Sequence, residues 1–208
     1  MTTDLDVRCE CGKLRGIARD LAPAYVNRAV CYCDDCQSFA HFLGRADDVL
    51  DEHGGSEIYQ LAPVRFRITA GQEQLACVRL RPKGLYRWYA ACCKTPLANS
   101  LTSAIPFVGL IRPCVKGADE TSVGPVKMRI HGRFARGGAA PSAHPKAPLS
   151  AAFSILFKLL RRRFRGQHRQ HPLFNAETGK AVVKPQVLEP SELATVEKAR
   201  DEWLRYSA

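Results

Sequence analysis

Long apolar runs are missing from this 208-residue chain: none reaches the ~18–20 residues that a membrane-spanning helix requires. The first residues, MTTDLDVR, include acids and carry no apolar segment, so no secretory leader is expected and the compartment is read as cytoplasmic. No internal repeat is visible. No basic stretch is interleaved with aromatic residues in the manner of a base-stacking surface. Acidic residues are absent from 121–176, where eleven Lys and Arg occur. The other 20 basic residues are matched by 20 acidic ones, so the whole excess of +11 sits in that one segment. Such a segment fits either an anionic partner (phosphate, nucleic acid or a membrane surface) or a solvated basic face.

Apolar content and cysteine are what the chain has. Its hydrophobic share of 46% is that of a globular protein, enough for a core without help from metal. Nine cysteines in a chain without a leader are not expected to form a disulfide framework. In a reducing compartment, clustered cysteines more often bind metal or do chemistry.

Residues 5–19 read as strand, turn, strand, and 24–32 as a further strand. Residues 34–43 are predicted as a short helix, with Asp34 as its cap, Phe39 and Leu43 on one face and Gly44 as its stop. Alternating segments at 57–61, 64–70, 74–80 and 85–90, and an apolar one at 105–111, predict a compact antiparallel sheet assembly. In the second of these, Arg65 and Arg67 are assigned to the wet face, alternating with Val64, Phe66 and Ile68. Residues 1–131 thus form a β domain, and 132–148, rich in Gly, Ala and Pro, a linker or loop. Residues 149–208 form a basic helical extension.

Within that extension, 149–165 is predicted as an amphipathic helix. Phe153, Leu156, Phe157, Leu160 and Phe164 share one face, and Lys158, Arg161, Arg162 and Arg165 the other. Its wide apolar face is expected to dock on the sheet domain; anionic lipid and nucleic-acid phosphate are the other readings. A last helix is expected from Pro190-Ser191-Glu192, capped by Ser191, to about Leu204.

Seven cysteines fall into three clusters: Cys9 and Cys11; Cys31, Cys33 and Cys36; Cys92 and Cys93. Cys77 and Cys114, alone in apolar runs, are read as core residues. Zinc needs ligands converging at ~2.3 Å on one point, and thiolates suit it. A C-x-C-x-x-C turn aims three sulfurs at one metal. The outer pairs together supply four. A closed site of four protein ligands is structural, whereas three ligands and an open position make a catalytic one. His41, five residues past the triplet, is read as a group near the site or an ordinary helix residue. Asp34 and Asp35 either orient the triplet or serve as capping and solvated acids.

The ordered set CECGKLRG (9–16), CYCDDCQSFAHFLG (31–44) and CCKTPL (92–97) resembles the glutathione-dependent formaldehyde-activating enzyme family, which includes the centromere protein V type proteins. The likeness spans about residues 5–112. It implies a mainly β fold, a β-tent of twisted antiparallel sheets carrying Zn(2+). It implies a structural zinc on the outer pairs and a catalytic zinc on Cys31, Cys33 and Cys36. It also implies a carbon–sulfur lyase that joins glutathione and formaldehyde as S-hydroxymethylglutathione. The chain departs from the family at its last pair. Aligning CKTPL puts Ala90 where the family has its first cysteine, and Lys94 where it has glycine. Cys92 and Cys93 are adjacent, and adjacent strand residues point to opposite faces. Both serve one metal only if the backbone turns sharply there. Two functions follow as expectations: a zinc lyase acting on a small thiol adduct, and a zinc-braced binding module whose basic C-terminal region engages an acidic partner.

Overall fold

In a computed structural model of the chain, which describes residues 2–206 except 139, 141 and 147, short β-rich segments fold into two sheets. The strands in chain order are β1 (Thr3–Arg8), β2 (Arg15–Leu21), β3 (Asn27–Cys31), β4 (Ser56–Leu61), β5 (Phe66–Ala70), β6 (Leu75–Arg79), β7 (Tyr86–Ala90), β8 (Pro96–Ser100), β9 (Val108–Ile111), β10 (Met128–Ile130) and β11 (Gln186–Val187). The helices are α1 (Asp34–Phe42), α2 (Ala46–Val49), α3 (Glu120–Val123), α4 (Leu149–Phe164) and α5 (Pro190–Tyr206). The small sheet has the order β1-β2-β5, and the large one β10-β3-β4-β9-β8-β7-β6-β11. The class is therefore mainly β with C-terminal helices, as the sequence predicts. Pairing is antiparallel except at the two edges of the large sheet, where β10 joins β3 and β11 joins β6 in parallel.

The large sheet is covered on both faces, which explains its nearly continuous apolar strands. Alternate residues of β6, β7 and β9 divide between two cores. Cys77, Trp88 and Leu110 pack toward the small sheet with Leu5, Val7 and Phe66. Val78, Tyr89 and Ile111 pack on the other side with Phe39, Ala40 and Leu43 of α1. The Trp88 indole donates to Ser100 Oγ at 2.8 Å, so its one polar atom is satisfied inside the core. Cys77 and Cys114 are buried thiols, each pushed up to about 12 first by burial, as the core reading expects. Against α1 lies α5, held by Arg200 to Ser38 Oγ at 3.1 Å and by Trp203 to Asp47 at 3.0 Å.

Several local expectations change. Helix α1 is capped by Cys33, in extended conformation and with no side-chain cap bond; Asp34 is its first helical residue. Gly44 ends it with φ +64°. Helix α5 is capped by Glu189, whose carbonyl accepts from Leu193 and whose amide donates to Glu192 Oε2, so Ser191 lies inside the first turn. Residues 63–65 form a helical turn rather than strand, which leaves Val64 exposed and Arg65 half-buried, with Arg65 donating to the Asp20 carbonyl. The segment 105–111 is strand only from Val108. Strands β8, β10 and β11 were not predicted: β8 is buried throughout, without the alternation that marks a strand, and the other two are two or three residues long.

The described part of 132–148 lies on the sheet. Gly132 donates to the His144 carbonyl at 2.9 Å, and Ala135 and Ala140 pack with Val30 and Tyr32. Residues 139, 141 and 147 of that segment fall outside the described residues. Beyond α4 the chain re-enters the main core at Leu173 and Phe174. The apolar face of α4 itself does not dock: Phe153, Leu156, Phe157, Leu160 and Phe164 are all exposed. No described helix is long and apolar enough to cross a membrane.

The re-entry buries His171, which meets the Phe174 ring edge-on at 4.7 Å. Burial pushes its pKa down to about 4, with a backbone hydrogen bond to Phe107 acting the other way. An unfolded histidine titrates near ~6.5. The unfolded chain therefore takes up the proton first, so this stability is full above that value and is lost as pH falls toward the folded value, by roughly 2–3 kcal/mol. Burial, and then Arg200, lower His41 too, which acts in the same direction. Urea midpoints are expected to fall steeply between pH 7 and 4.5, and His171→Gln is expected to flatten that fall; an equal slope in the variant would count against a buried neutral His171.

Candidate metal centres

The first sulfur group is built by two turns at one end of the structure. Between β1 and β2, Cys9 and Leu14 exchange bonds: Cys9 N–H donates to the Leu14 carbonyl at 3.0 Å, and Leu14 N–H to Cys9 Sγ at 3.3 Å. Gly12, at φ +75°, donates to the Cys9 carbonyl, which closes the turn in a conformation that suits glycine. Between β7 and β8 the backbone reverses over 91–94. Lys94 N–H donates to the Ala90 carbonyl at 2.8 Å, and Ala90 N–H to the Thr95 carbonyl at 2.9 Å. This is the sharp turn that adjacent cysteines require to share a ligand. Lys94 adopts φ +56°, a left-handed conformation. A non-glycine residue there costs ~1–2 kcal/mol, the physical reason a glycine fits that place better.

The four sulfurs Cys9, Cys11, Cys92 and Cys93 consequently lie within 4.8 Å of one another. Cys9 is 3.5 Å from Cys11 and 3.8 Å from Cys92; Cys11 is 3.3 Å from Cys92, and Cys92 3.8 Å from Cys93. Four sulfurs at ~2.3 Å from a tetrahedral metal stand ~3.8 Å apart, so this spacing suits one ion. Ala90, 1% exposed and paired with Leu75, lies in the core, and Cys92 is the residue of that turn that joins Cys93 in the sulfur group. Thr95 accepts from Glu10 N–H at 3.0 Å and bridges to Cys93 Sγ at 3.1 Å. Burial opposes ionisation of Cys93, but bonds from Thr95 and the Cys11 backbone outweigh it and bring the thiol down to about 6. Cys92 is pushed the other way, up to about 12, by desolvation and then by its sulfur neighbours.

The second group sits where β3 hands over to α1. Cys31 ends the strand, Cys33 caps the helix and Cys36 lies in its first turn, and the Cys33 carbonyl accepts from Cys36 N–H at 3.0 Å. Their sulfurs also lie within 4.8 Å of one another. Cys31 and Cys36 are buried and Cys33 is half-buried. Hydrogen bonds from Cys31 and Cys33 hold Cys36 well below the usual thiol range, and the Arg87 charge adds to this. Cys31 is pushed up, first by its bond to Cys33 and then by Cys36 and burial. Without a cation, one thiolate is thus stabilised at the expense of its neighbours.

Arg87 was not singled out from the sequence. It is 1% exposed, in the middle of β7. Its Nη1 lies 3.3 Å from Asn99 Oδ1 and 3.9 Å from Cys36 Sγ, and its Nη2 lies 3.8 Å from Asp35 Oδ2. A buried guanidinium without negative partners is strongly destabilising. The signal was present: a cation inside YRWYA, a strand otherwise apolar. Asp35 ion-pairs with Arg81 and faces Arg87, so it belongs beside the triplet, whereas Asp34 only accepts from Asp35 N–H. His41 turns away and packs edge-on with Trp203 at 5.7 Å.

Both groups have a donor set that fits a metal ion, one of four thiols and one of three with a compensating cation. Arg87→Met is expected to weaken metal binding at the triplet about 10–100-fold and to leave the four-sulfur group unaffected. Chelator competition with cobalt(II)-loaded protein, read by thiolate charge-transfer absorption, measures this. Equal weakening of both groups would show the effect to be general unfolding.

The sequence matches the family of unknown function DUF6151 over residues 1–185, a span that holds both sulfur groups. No curated protein matches the chain. A Rhodobacter sphaeroides protein of known crystal structure aligns with 14% identity and a TM-score of 0.38, over 55% of this chain and 90% of its own.

Proposed function

This chain belongs to the family of unknown function DUF6151, and we propose that it is a zinc-dependent, carbon–sulfur lyase-like enzyme acting on a thiol adduct. The observation that carries the reading is the difference in ligand number between the two groups. Cys9, Cys11, Cys92 and Cys93 would close a zinc site with four sulfurs; Cys31, Cys33 and Cys36 would leave one position for a substrate. All-thiolate donor sets favour zinc over the hard cations magnesium and calcium. The resemblance of the three cysteine motifs to the glutathione-dependent formaldehyde-activating enzymes supports glutathione and formaldehyde as the candidate pair.

In the condensing direction the substrate sulfur bonds to the carbonyl carbon, the carbonyl electron pair moves to oxygen, and oxygen takes the proton the thiol gave up. The lyase direction reverses these movements. Zinc bound at the triplet supplies the Lewis acidity that keeps a thiol ionised at neutral pH. The chain's own part is positional and electrostatic. Arg87 offsets the charge of the clustered sulfurs, and Asn99 and Asp35 hold its guanidinium in place.

Cys33→Ser is expected to lower bound zinc from two equivalents to one and to abolish formation of S-hydroxymethylglutathione from glutathione and [13C]formaldehyde, followed by NMR. Unchanged zinc content and turnover in that variant would defeat the reading. Cys92→Ser should act on the other site. Its thermal midpoint should drop by roughly 5 °C or more as one zinc is lost, while turnover per folded molecule stays within about twofold of wild type. Loss of turnover in a folded Cys92 variant that keeps the triplet's metal would contradict the division of roles.

A further inference from the structure

Helix α4 leaves its apolar face uncovered. Phe153, Leu156, Phe157, Leu160 and Phe164 lie on its outer face, from 45% exposed at Leu160 to 89% at Phe164. A stripe of this size facing water marks an interaction surface. Its cations are solvent-accessible too: Lys158, Arg161, Arg163 and Arg165 are exposed and Arg162 is half-buried. Lys158, Arg161, Arg162 and Arg165 line a cleft of about 290 Å³ shared with Tyr25 and Arg65. Arg162 donates to the Tyr25 carbonyl at 3.3 Å and Arg163 to the Ala104 carbonyl at 2.6 Å, so the helix is held by neutral acceptors.

Like charges meet across this cleft. Burial lowers the Arg162 pKa, and Arg65 lowers it further; beside the cleft, burial and then Lys158 lower that of Lys127. Among the described residues, none of the five α4 cations forms an ion pair with a carboxylate. The absence of acids from 121–176 leaves no local source of one. The cleft therefore has cations in excess and lacks the anion that would balance them.

We propose that α4 is a docking element for an anionic lipid surface, with its Phe and Leu stripe entering the headgroup boundary and its Lys and Arg residues engaging lipid phosphates. The two halves of the helix select this occupant together. Nucleic acid would satisfy the cations but leave five large apolar side chains in water. A second copy of the chain would cover the stripe but bring two rows of cations together. An anionic membrane answers both, and long basic side chains flanking an apolar stripe can reach phosphates at its level. At 16 residues the helix is ~24 Å long, suited to lying in the interface rather than spanning it.

The test is co-sedimentation of the full, metal-replete chain with phosphatidylcholine vesicles, with and without phosphatidylserine. Binding is expected only with phosphatidylserine, falling as salt rises. Phe157→Ser with Phe164→Ser should weaken it about tenfold or more, and Arg161→Gln and Arg165→Gln roughly fivefold each. These side chains are exposed, and circular dichroism with thermal melts will verify that the variants fold. No binding to phosphatidylserine vesicles, or equal binding to both kinds, overturns the proposal. So does a concentration-dependent dimer that the Phe variants dissolve, which gives the stripe to a second copy. Tighter binding to duplex DNA at the same salt, insensitive to the Phe variants, gives the cations to nucleic acid.

Discussion

Sulfurs brought to contact distance cannot all ionise without a cation, and the structure near both clusters favours one thiolate in each, Cys93 and Cys36, over its neighbours. At the four-sulfur group, donors are turned inward: the Leu14 amide on Cys9 and the Thr95 hydroxyl beside Cys93. At the triplet, the response is a whole positive charge, the buried Arg87 guanidinium. The same donors that stabilise negative sulfur would raise its affinity for a metal ion, because ligands must lose their protons to bind. At Cys77 and Cys114 burial outweighs the hydrogen bonds that act the other way, and both thiols are pushed up.

The large sheet makes the arrangement possible. Because both of its faces are covered, Arg87 can be buried on the α1 side while Trp88, next in the chain, is buried on the other. Helix α1 then places Cys36 over Arg87, and α5 closes over α1 through Arg81, which bridges Asp35 and Glu197. The C-terminal helix thus supports the surroundings of the triplet even though it lies outside the span matched to the family. The opposite logic governs α4. There the structure leaves the apolar side exposed and, among the described residues, gives the nearby cations no acidic partner, an arrangement that points to a surface outside the chain.

The parts legible in the sequence were those with a strong local pattern. Cysteine spacing identified both sulfur groups, and apolar alternation located most strands of the sheets. Strand β8 escaped because it is buried on both sides and carries no alternation, and β10 and β11 because they are too short to have a period. Asp34 and Ser191 looked like caps from residue type alone; Cys33 and Glu189 hold those places because capping depends on where the backbone leaves its extended form. The amphipathic period of α4 was correct, while its direction was not: a helical wheel defines two faces and cannot say which one meets the protein.

By itself, the sequence determined that three sulfurs would share one turn, since C-x-C-x-x-C at a strand-to-helix junction leaves them little freedom to separate. It also determined the basic segment, which is a matter of counting charges. Tertiary structure alone decided whether Cys92 and Cys93 could join Cys9 and Cys11, because that rests on a left-handed Lys94 and on two hairpins meeting more than eighty residues apart in the chain. It alone put Arg87 beside Cys36, fifty-one positions away. Side chains from distant segments converge only when sheet register and helix packing are set, and no local pattern carries that information.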